Sequence, residues 1–324
     1  TATLLFVGDL MQHSGQYKAA LACGDGECYN YEETFKLVKP MISAATVAIG
    51  NLEVTLGEKP YHGYPCFSAP DDYFYAIKEA GFDVLTTANN HCCDRRDKGL
   101  VRTLDVLKAA GIPSCGTYAD SLDRSQRYPL IIDANGIKVC LLAYTYGTNG
   151  IPVKKPNIVN VIDKEMMEKD IEDAKSMNPD VIIACLHWGV ENVTRENARQ
   201  RKLAQWLVDR GVDHIIGGHP HAIQPSTSLT DTIGGEHYVV YSLGNYVSCM
   251  LLPTNKIGLM ATLKFQKVTF EGKSETQLVE VVEEKTFCSK PALNDVHNYR
   301  IIPASAPDSI LTARERTARL GSLK

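Results

Sequence analysis

No stretch of about 18 consecutive apolar residues occurs in this chain, so no segment reads as a membrane-spanning helix. Basic charge is not in excess. The 34 Lys and Arg against 38 Asp and Glu leave a net charge of −4, without the basic footprint of a nucleic-acid binder. Ten cysteines in 324 residues are too few for a disulfide scaffold. No two of them stand in C-x-x-C spacing, which removes the usual thiolate zinc site. Cys140 and Cys185 lie in apolar runs and read as small buried hydrophobes. Cys23 and Cys28 lie in a polar segment and are placed to pair in an oxidising compartment. The start at Thr1, without a methionine, is compatible with removal of a signal or anchor segment and equally with a shortened chain.

What is present is ordinary globular material, 44% apolar and 22% charged, enough for two domains or one large α/β domain. Up to about residue 250, short apolar runs alternate with amphipathic stretches. Strands are expected at 3–7, 46–49, 83–88, 181–186, 212–216 and 237–243. Helices are expected at 71–80, 98–110, 164–177 and 196–210. Asn135-Gly136 between two apolar runs signals a hairpin. Such alternation argues for βαβ units and an α/β fold, with ligands outside the carboxyl ends of the strands. Beyond residue 250, the segments 258–270 and 274–284 alternate around Glu271-Gly272-Lys273 as an antiparallel hairpin. The last forty residues read as a surface tail or a docking helix.

The candidate metal ligands are not scattered. Asp9, Glu53, Asn90, His91, His187, His219 and His221 each fall within a few residues of the end of an expected strand. Strand ends on one side of one sheet would bring them together. Gly217-Gly218-His219-Pro220-His221 puts two imidazoles on a tight turn, with the proline limiting the geometry between them. Alone, such a pair is equally compatible with a loop that bonds locally. His187 caps a strand or ligates a borderline metal through neutral imidazole. Glu191 is a carboxylate behind the ligands or a substrate contact, and Trp188 is a wall. In Asn89-Asn90-His91, the Asn90 amide oxygen can complete a coordination sphere. His91, with Asp94 three residues on, can act on the substrate. Asp9 and Glu53 supply the negative charge a dication cluster needs; without cations they would repel and raise one another's pKa. Asn245 is a substrate contact or a turn residue.

In order, GDLM (8–11), NLE (51–53), ANNHxxD (88–94), HWGxE (187–191), GGHPHxxQ (217–224) and SLGN (242–245) resemble the capsule synthesis protein family CapA. This is the PgsA-like poly-γ-glutamate group, similar to the calcineurin-like metallophosphoesterases. The resemblance implies an α/β fold of four layers, an α/β/β/α sandwich of metallophosphatase type. Residues 1–250 would form the domain and 251–324 would complete it. It also implies a centre for two divalent ions (Mn, Fe or Zn). Asp9 would be the first ligand and Glu53 the bridging carboxylate. Asn90, His187 and His219 would complete one ion, and His221 would serve the other. His91, oriented by Asp94, would assist the leaving group. Asn51, Glu191, Gln224 and Asn245 would meet substrate. The implied partners are an anionic polymer or phosphate ester and capsule-assembly membrane proteins, at the cell surface.

Two departures touch the same half of the cluster. Where a phosphoesterase has D-x-H, this chain has Asp9-Leu10-Met11, and a thioether is a poor ligand for hard ions. His13 is a candidate substitute. Glu53 stands where aspartate is usual. One ion is therefore expected to be weakly held. Three readings follow: a metal-dependent hydrolase, a metal-containing polymer-binding or export component, and a purely structural α/β protein.

Overall fold

The computed structural model describes residues 1–323. Its strands are β1 (Ala2–Leu10), β2 (Val47–Leu52), β3 (Val84–Thr86), β4 (Ser114–Cys115), β5 (Thr117–Tyr118), β6 (Leu130–Ala134), β7 (Ile137–Thr145) and β8 (Ile158–Val159). After these come β9 (Val181–His187), β10 (His214–Gly218), β11 (Ile223–Thr230), β12 (Glu236–Leu243), β13 (Asn245–Val247), β14 (Ile257–Phe270), β15 (Lys273–Ser289) and β16 (Arg300–Pro303). One sheet has eight strands in the order β16-β15-β14-β1-β2-β3-β4, with β13 also beside β1. A second has six, in the order β11-β12-β10-β9-β7-β6.

The strands of β1 and β2 are apolar on both faces because both faces are covered. Leu4 and Phe6 of β1 pack with Ile49 against Leu141, Ile183 and Val240 of the other sheet. The alternate residues Leu5 and Val7 pack outward against Phe35, Ile42, Phe74 and Ile77. On the far side, Leu142 and Tyr144 of β7 meet Met167, Ile171 and Leu207. A period of two along each strand thus assigns one row to the inter-sheet core and the next to a helical layer. The result is the expected four-layer α/β/β/α sandwich.

Element ends differ in informative ways. The strand expected at 83–88 runs over Val84–Thr86; the Thr87 N–H still donates to the Cys115 carbonyl at 2.9 Å, and the chain beyond it carries Asn89–His91 into the site. The helix expected at 98–110 runs over Arg96–Ala109. The one expected at 196–210 runs over Ala198–Val208, since Asn197 caps it by accepting the Arg199 and Gln200 N–H groups. The second strand of the late hairpin extends to Ser289, and β14 lies antiparallel to β1. Of the two readings of the C-terminus, the docking helix is found. Ala313–Leu323 is fixed through buried Glu315, which accepts from Ser289 Oγ (2.8 Å) and lies 3.4 Å from Arg300. Cys23 and Cys28 are separate thiols rather than a bridge. Cys23 faces the Val296 carbonyl, and Cys28 turns back to the Gly24 carbonyl.

Under the six-stranded sheet, Asp170 is buried and both its oxygens accept from Arg124 Nη2 at 2.8 Å. Tyr144 Oη donates to it at 2.9 Å, and the guanidinium lies 4.6 Å from the centre of the Tyr128 ring. Arg124→Ala leaves that carboxylate without its cation. The expected loss is about 3–5 kcal/mol in urea unfolding, as for a broken buried pair. A loss below about 1 kcal/mol would mean that the pair behaves as a surface one.

Candidate metal centre

Ligands were expected from strand ends of one sheet. The candidate residues come instead from two. Asp9, Asn51 and Glu53 lie at the ends of β1 and β2. His187, His219 and His221 lie at the ends of β9 and β10 across the sandwich. Two glycines allow this convergence. A Cβ on Gly8 would stand 1.9 Å from the Gly244 carbonyl oxygen, so only glycine lets the β12–β13 corner close on β1. There the Asp9 N–H donates to Gly244 O at 2.9 Å. A Cβ on Gly218 would stand 2.9 Å from Asp9 Oδ1.

Asp9, Glu53, Asn90, His187, His219 and His221 are all buried. Asp9 Oδ1 accepts from Asn51 Nδ2 (2.8 Å), and Oδ2 lies 3.1 Å from His221 Nδ1 and accepts the His219 N–H (3.3 Å). Glu53 Oε1 lies 3.3 Å from His187 Nε2 and 3.8 Å from His221 Nε2, yet neither carboxyl oxygen has a hydrogen-bond partner among the described residues. Buried His219 Nδ1 is likewise without one. His187 Nε2 meets Asn90 Oδ1 at 2.9 Å. Two groups of donors, Asp9/Glu53/His187 and Glu53/His219/His221, each gather ligand atoms within 4.8 Å of one another, and Glu53 belongs to both. Buried polar atoms normally have partners, and orphaned carboxyl oxygens facing imidazole nitrogens are what a divalent cation would satisfy. The donor set fits such an ion.

Beside this cluster, His91 Nδ1 and Asp94 Oδ2 are 2.7 Å apart, both buried. Asp94 Oδ2 also accepts the Phe67 N–H at 2.6 Å, and the Phe67 ring stands edge-on to His91. The carboxylate holds the proton on Nδ1 and leaves Nε2 as the acceptor.

The remaining sequence candidates do different work. Asn51 ties Asp9 to its neighbours and accepts from Asn89 Nδ2 (3.2 Å). Asn245 Oδ1 faces His221 Nδ1 at 2.9 Å, while its Nδ2 donates to Ser248 and Asn255, so it orients the His221 ring. Gln224 is buried with its amide used up: Nε2 donates to the Val193 and Arg195 carbonyls, and Oε1 accepts from Gln200. It fastens the 193–195 loop. Glu191 is exposed, and its charge reaches Glu53, His221 and Tyr146. Met11 is sunk in the core beneath the eight-stranded sheet. His13 does not replace it: it begins the helix Ser14–Cys23, where its Nδ1 accepts the Cys249 N–H, and it belongs to neither donor group.

Burial and the adjacent Asp9 charge push the Glu53 carboxyl well above its ordinary range. Burial would raise Asp9 too, but its hydrogen bond and charge contact with His221 bring it below the usual carboxylate range. Burial would lower His221, but Asp9 raises it. Burial and the neighbouring imidazoles lower His187 strongly and His219 to about 3. Without a cation, Glu53 and His221 therefore hold their protons more tightly than an ordinary carboxyl and imidazole, while His187 and His219 give theirs up more readily. A metal competes with the protons held by Glu53 and His221, so its affinity is expected to rise with pH and its binding to release protons. Calorimetric Mn2+ titration in buffers of different ionisation heat checks this; an affinity flat with pH would contradict it.

Sequence reasoning missed Tyr146, Asn149 and the tie made by Asn89. The signal was available: β7 is another strand that ends at this rim, at Thr145-Tyr146-Gly147.

Residues 3–250 match the family described as bacterial capsule synthesis protein PGA_cap. The chain is 30% identical to capsule biosynthesis protein CapA of Bacillus anthracis, covering 76% of this chain and 59% of that protein. It is 29% identical to PGA biosynthesis protein CapA of Bacillus subtilis (strain 168), covering 75% and 62%. It thus spans roughly three fifths of the length of these relatives. Among solved structures, calcineurin-like phosphoesterase YfkN from Bacillus subtilis superposes with a TM-score of 0.50 at 17% identity, covering 100% of this chain and 99% of that one, a likeness of fold. With strand-end motifs falling at one rim of this sandwich and the match spanning most of its length, the chain belongs to the PGA_cap family of bacterial capsule synthesis proteins.

Proposed function

We propose that the chain is a metal-dependent hydrolase that acts on a phosphoester during the making of an anionic surface polymer of the poly-γ-glutamate kind, at the cell surface. The observation that carries this reading is the pair of buried donor groups sharing Glu53, with the His91–Asp94 dyad at their side. Asp9, Glu53, Asn90, His187, His219 and His221 would hold divalent ions, with manganese, iron and zinc all suited to the mixed donors. Such an ion supplies Lewis acidity, polarising the bond under attack and acidifying water. Asn51 and Asn245 keep Asp9 and His221 aimed inward. Phe67 and Asp94 hold His91 in one orientation, so that its Nε2, once it carries a proton, can deliver it to the leaving oxygen while the Nδ1 proton stays on the Asp94 side. The test is hydrolysis of bis-p-nitrophenyl phosphate by the purified chain with added Mn2+. Metal-dependent turnover supports the proposal.

A second reading is a non-catalytic component that binds polymer through the metal. The burial of Met11 in the core, which leaves the Asp9 half of the cluster without a histidine from that motif, favours it. Bound metal and polymer binding without turnover would support it over the first.

A further inference from the structure

The turn after β7 reaches over the metal centre from the six-stranded sheet. Its Tyr146 N–H donates to the His187 carbonyl at 2.9 Å. The Tyr146 ring lies 4.5 Å from the His219 ring and nearly parallel to that of His187, with an interplanar angle of 10°. Two donors converge on one atom of this turn. Asn149 Oδ1 receives the Tyr146 hydroxyl at 3.2 Å and Asn90 Nδ2 at 3.1 Å. A carboxamide oxygen has two acceptor positions, and both are in use.

The other end of Asn90 faces inward, its Oδ1 2.9 Å from His187 Nε2. A carboxamide is planar, so anchoring its NH2 group decides where its oxygen points. Turned by half a revolution, Asn90 would present hydrogens to His187 and could not ligate a cation. The turn does not need the Asn149 side chain for its own shape. Thr148 Oγ1 donates to Ile151 O, and Thr145 Oγ1 closes on Gly147. The backbone of Asn149 is left-handed (φ +51°), which asparagine, aspartate and glycine tolerate best.

We propose that Asn149, itself oriented by Tyr146, is a positioning residue that locks the Asn90 carboxamide oxygen-inward and so sets the affinity of the centre for its cation. This rests on reading the site as a metal centre. Nothing in the motif pattern singles out residues 146–149. Asn149 acts through Asn90, while the Tyr146 ring also lies against His219.

The test is the Mn2+ dissociation constant of the full chain, measured by calorimetry on wild type, Asn149→Gly, Asn149→Asp and Tyr146→Phe, with a thermal melt of each metal-free protein. Asn149→Gly keeps the left-handed backbone and removes the acceptor; Mn2+ binding is expected to weaken at least tenfold, as for loss of a partner that orients a ligand. Asn149→Asp keeps an acceptor at the same place and is expected to stay within about threefold of wild type, well short of that loss. Tyr146→Phe is expected to fall between the two. Melting temperatures are expected to agree within about 2 °C, the small shift of a surface change. Wild-type Mn2+ affinity in Asn149→Gly would overturn the positioning role while leaving the metal centre standing. Absence of Mn2+ binding by the wild-type chain would overturn both.

Discussion

His91→Ala is expected to lower metal-dependent hydrolysis of a phosphodiester by about a hundred- to ten-thousandfold while leaving bound metal unchanged, the effect of removing one positioned acid–base group. The separation of the two effects is what makes the variant informative. His91 is not in either donor group, although its neighbour Asn90 faces His187. Its ring is held by Asp94 and Phe67 in a buried setting that fixes both tautomer and orientation. Asp94→Asn replaces the carboxylate with a group that can turn a donor toward Nδ1 and favour the wrong tautomer. It is expected to lose less than His91→Ala but to move the pH profile of kcat. Turnover and metal content measured on the same preparations decide the matter. Equal loss of metal and of activity in His91→Ala would make His91 a structural support of the cluster.

Glu53→Leu is expected to act in opposite directions on the two forms of the protein. Glu53 is shared by both donor groups, so divalent metal binding should weaken more than a hundredfold, beyond the ten- to hundredfold typical when only a ligand's hydrogen-bond partner is lost. The metal-free protein should gain about 1–3 kcal/mol, because a fully buried carboxyl without a hydrogen bond is replaced by an apolar side chain of similar volume. The pH dependence follows in sign. Glu53 holds its proton more tightly folded than unfolded, so its contribution is intact below the ordinary carboxyl value of 4.5. It is lost as pH rises through the higher folded value. Leucine should flatten that part of the stability profile. Urea unfolding of both chains at several pH values, with and without Mn2+, checks all three signs. A metal-free variant less stable than the parent would show that Glu53 supports the fold in a way its missing partners do not reveal.

Most of this molecule is legible from its residues because the signals are local. Apolar runs that stop at His187 and at Gly217-Gly218 mark real strand ends, while the run that stops at Gly8-Asp9 belongs to a strand that continues to Leu10. The Asn135-Gly136 turn joins β6 and β7 as expected. Period-two burial along β1 distinguishes the inter-sheet row from the helix-facing row. What was not legible depends on how strands are shared between sheets. Nothing in the runs themselves says that β1 and β9 belong to different sheets, yet that division lets Asp9 and His187 face each other across the sandwich. Nor could spacing reveal that Gln224 has spent its amide on the 193–195 loop, or that His13 is held by the Cys249 N–H, since those partners are remote in the chain. The Tyr146–Asn149 turn escaped notice for a simpler reason. Its residues lie outside the motifs at the other strand ends, and nothing in the spacing of Asn149 separates it from an ordinary turn asparagine.

The most direct test is a crystal of the full chain soaked in Mn2+ and measured for anomalous scattering. The account predicts a peak between the β1–β2 and β9–β10 ends, bonded to Glu53 and to at least one of His187, His219 and His221 at about 2.0–2.2 Å. An empty site at saturating Mn2+, with Glu53 and the histidines bonded only to neighbouring protein groups, would contradict it.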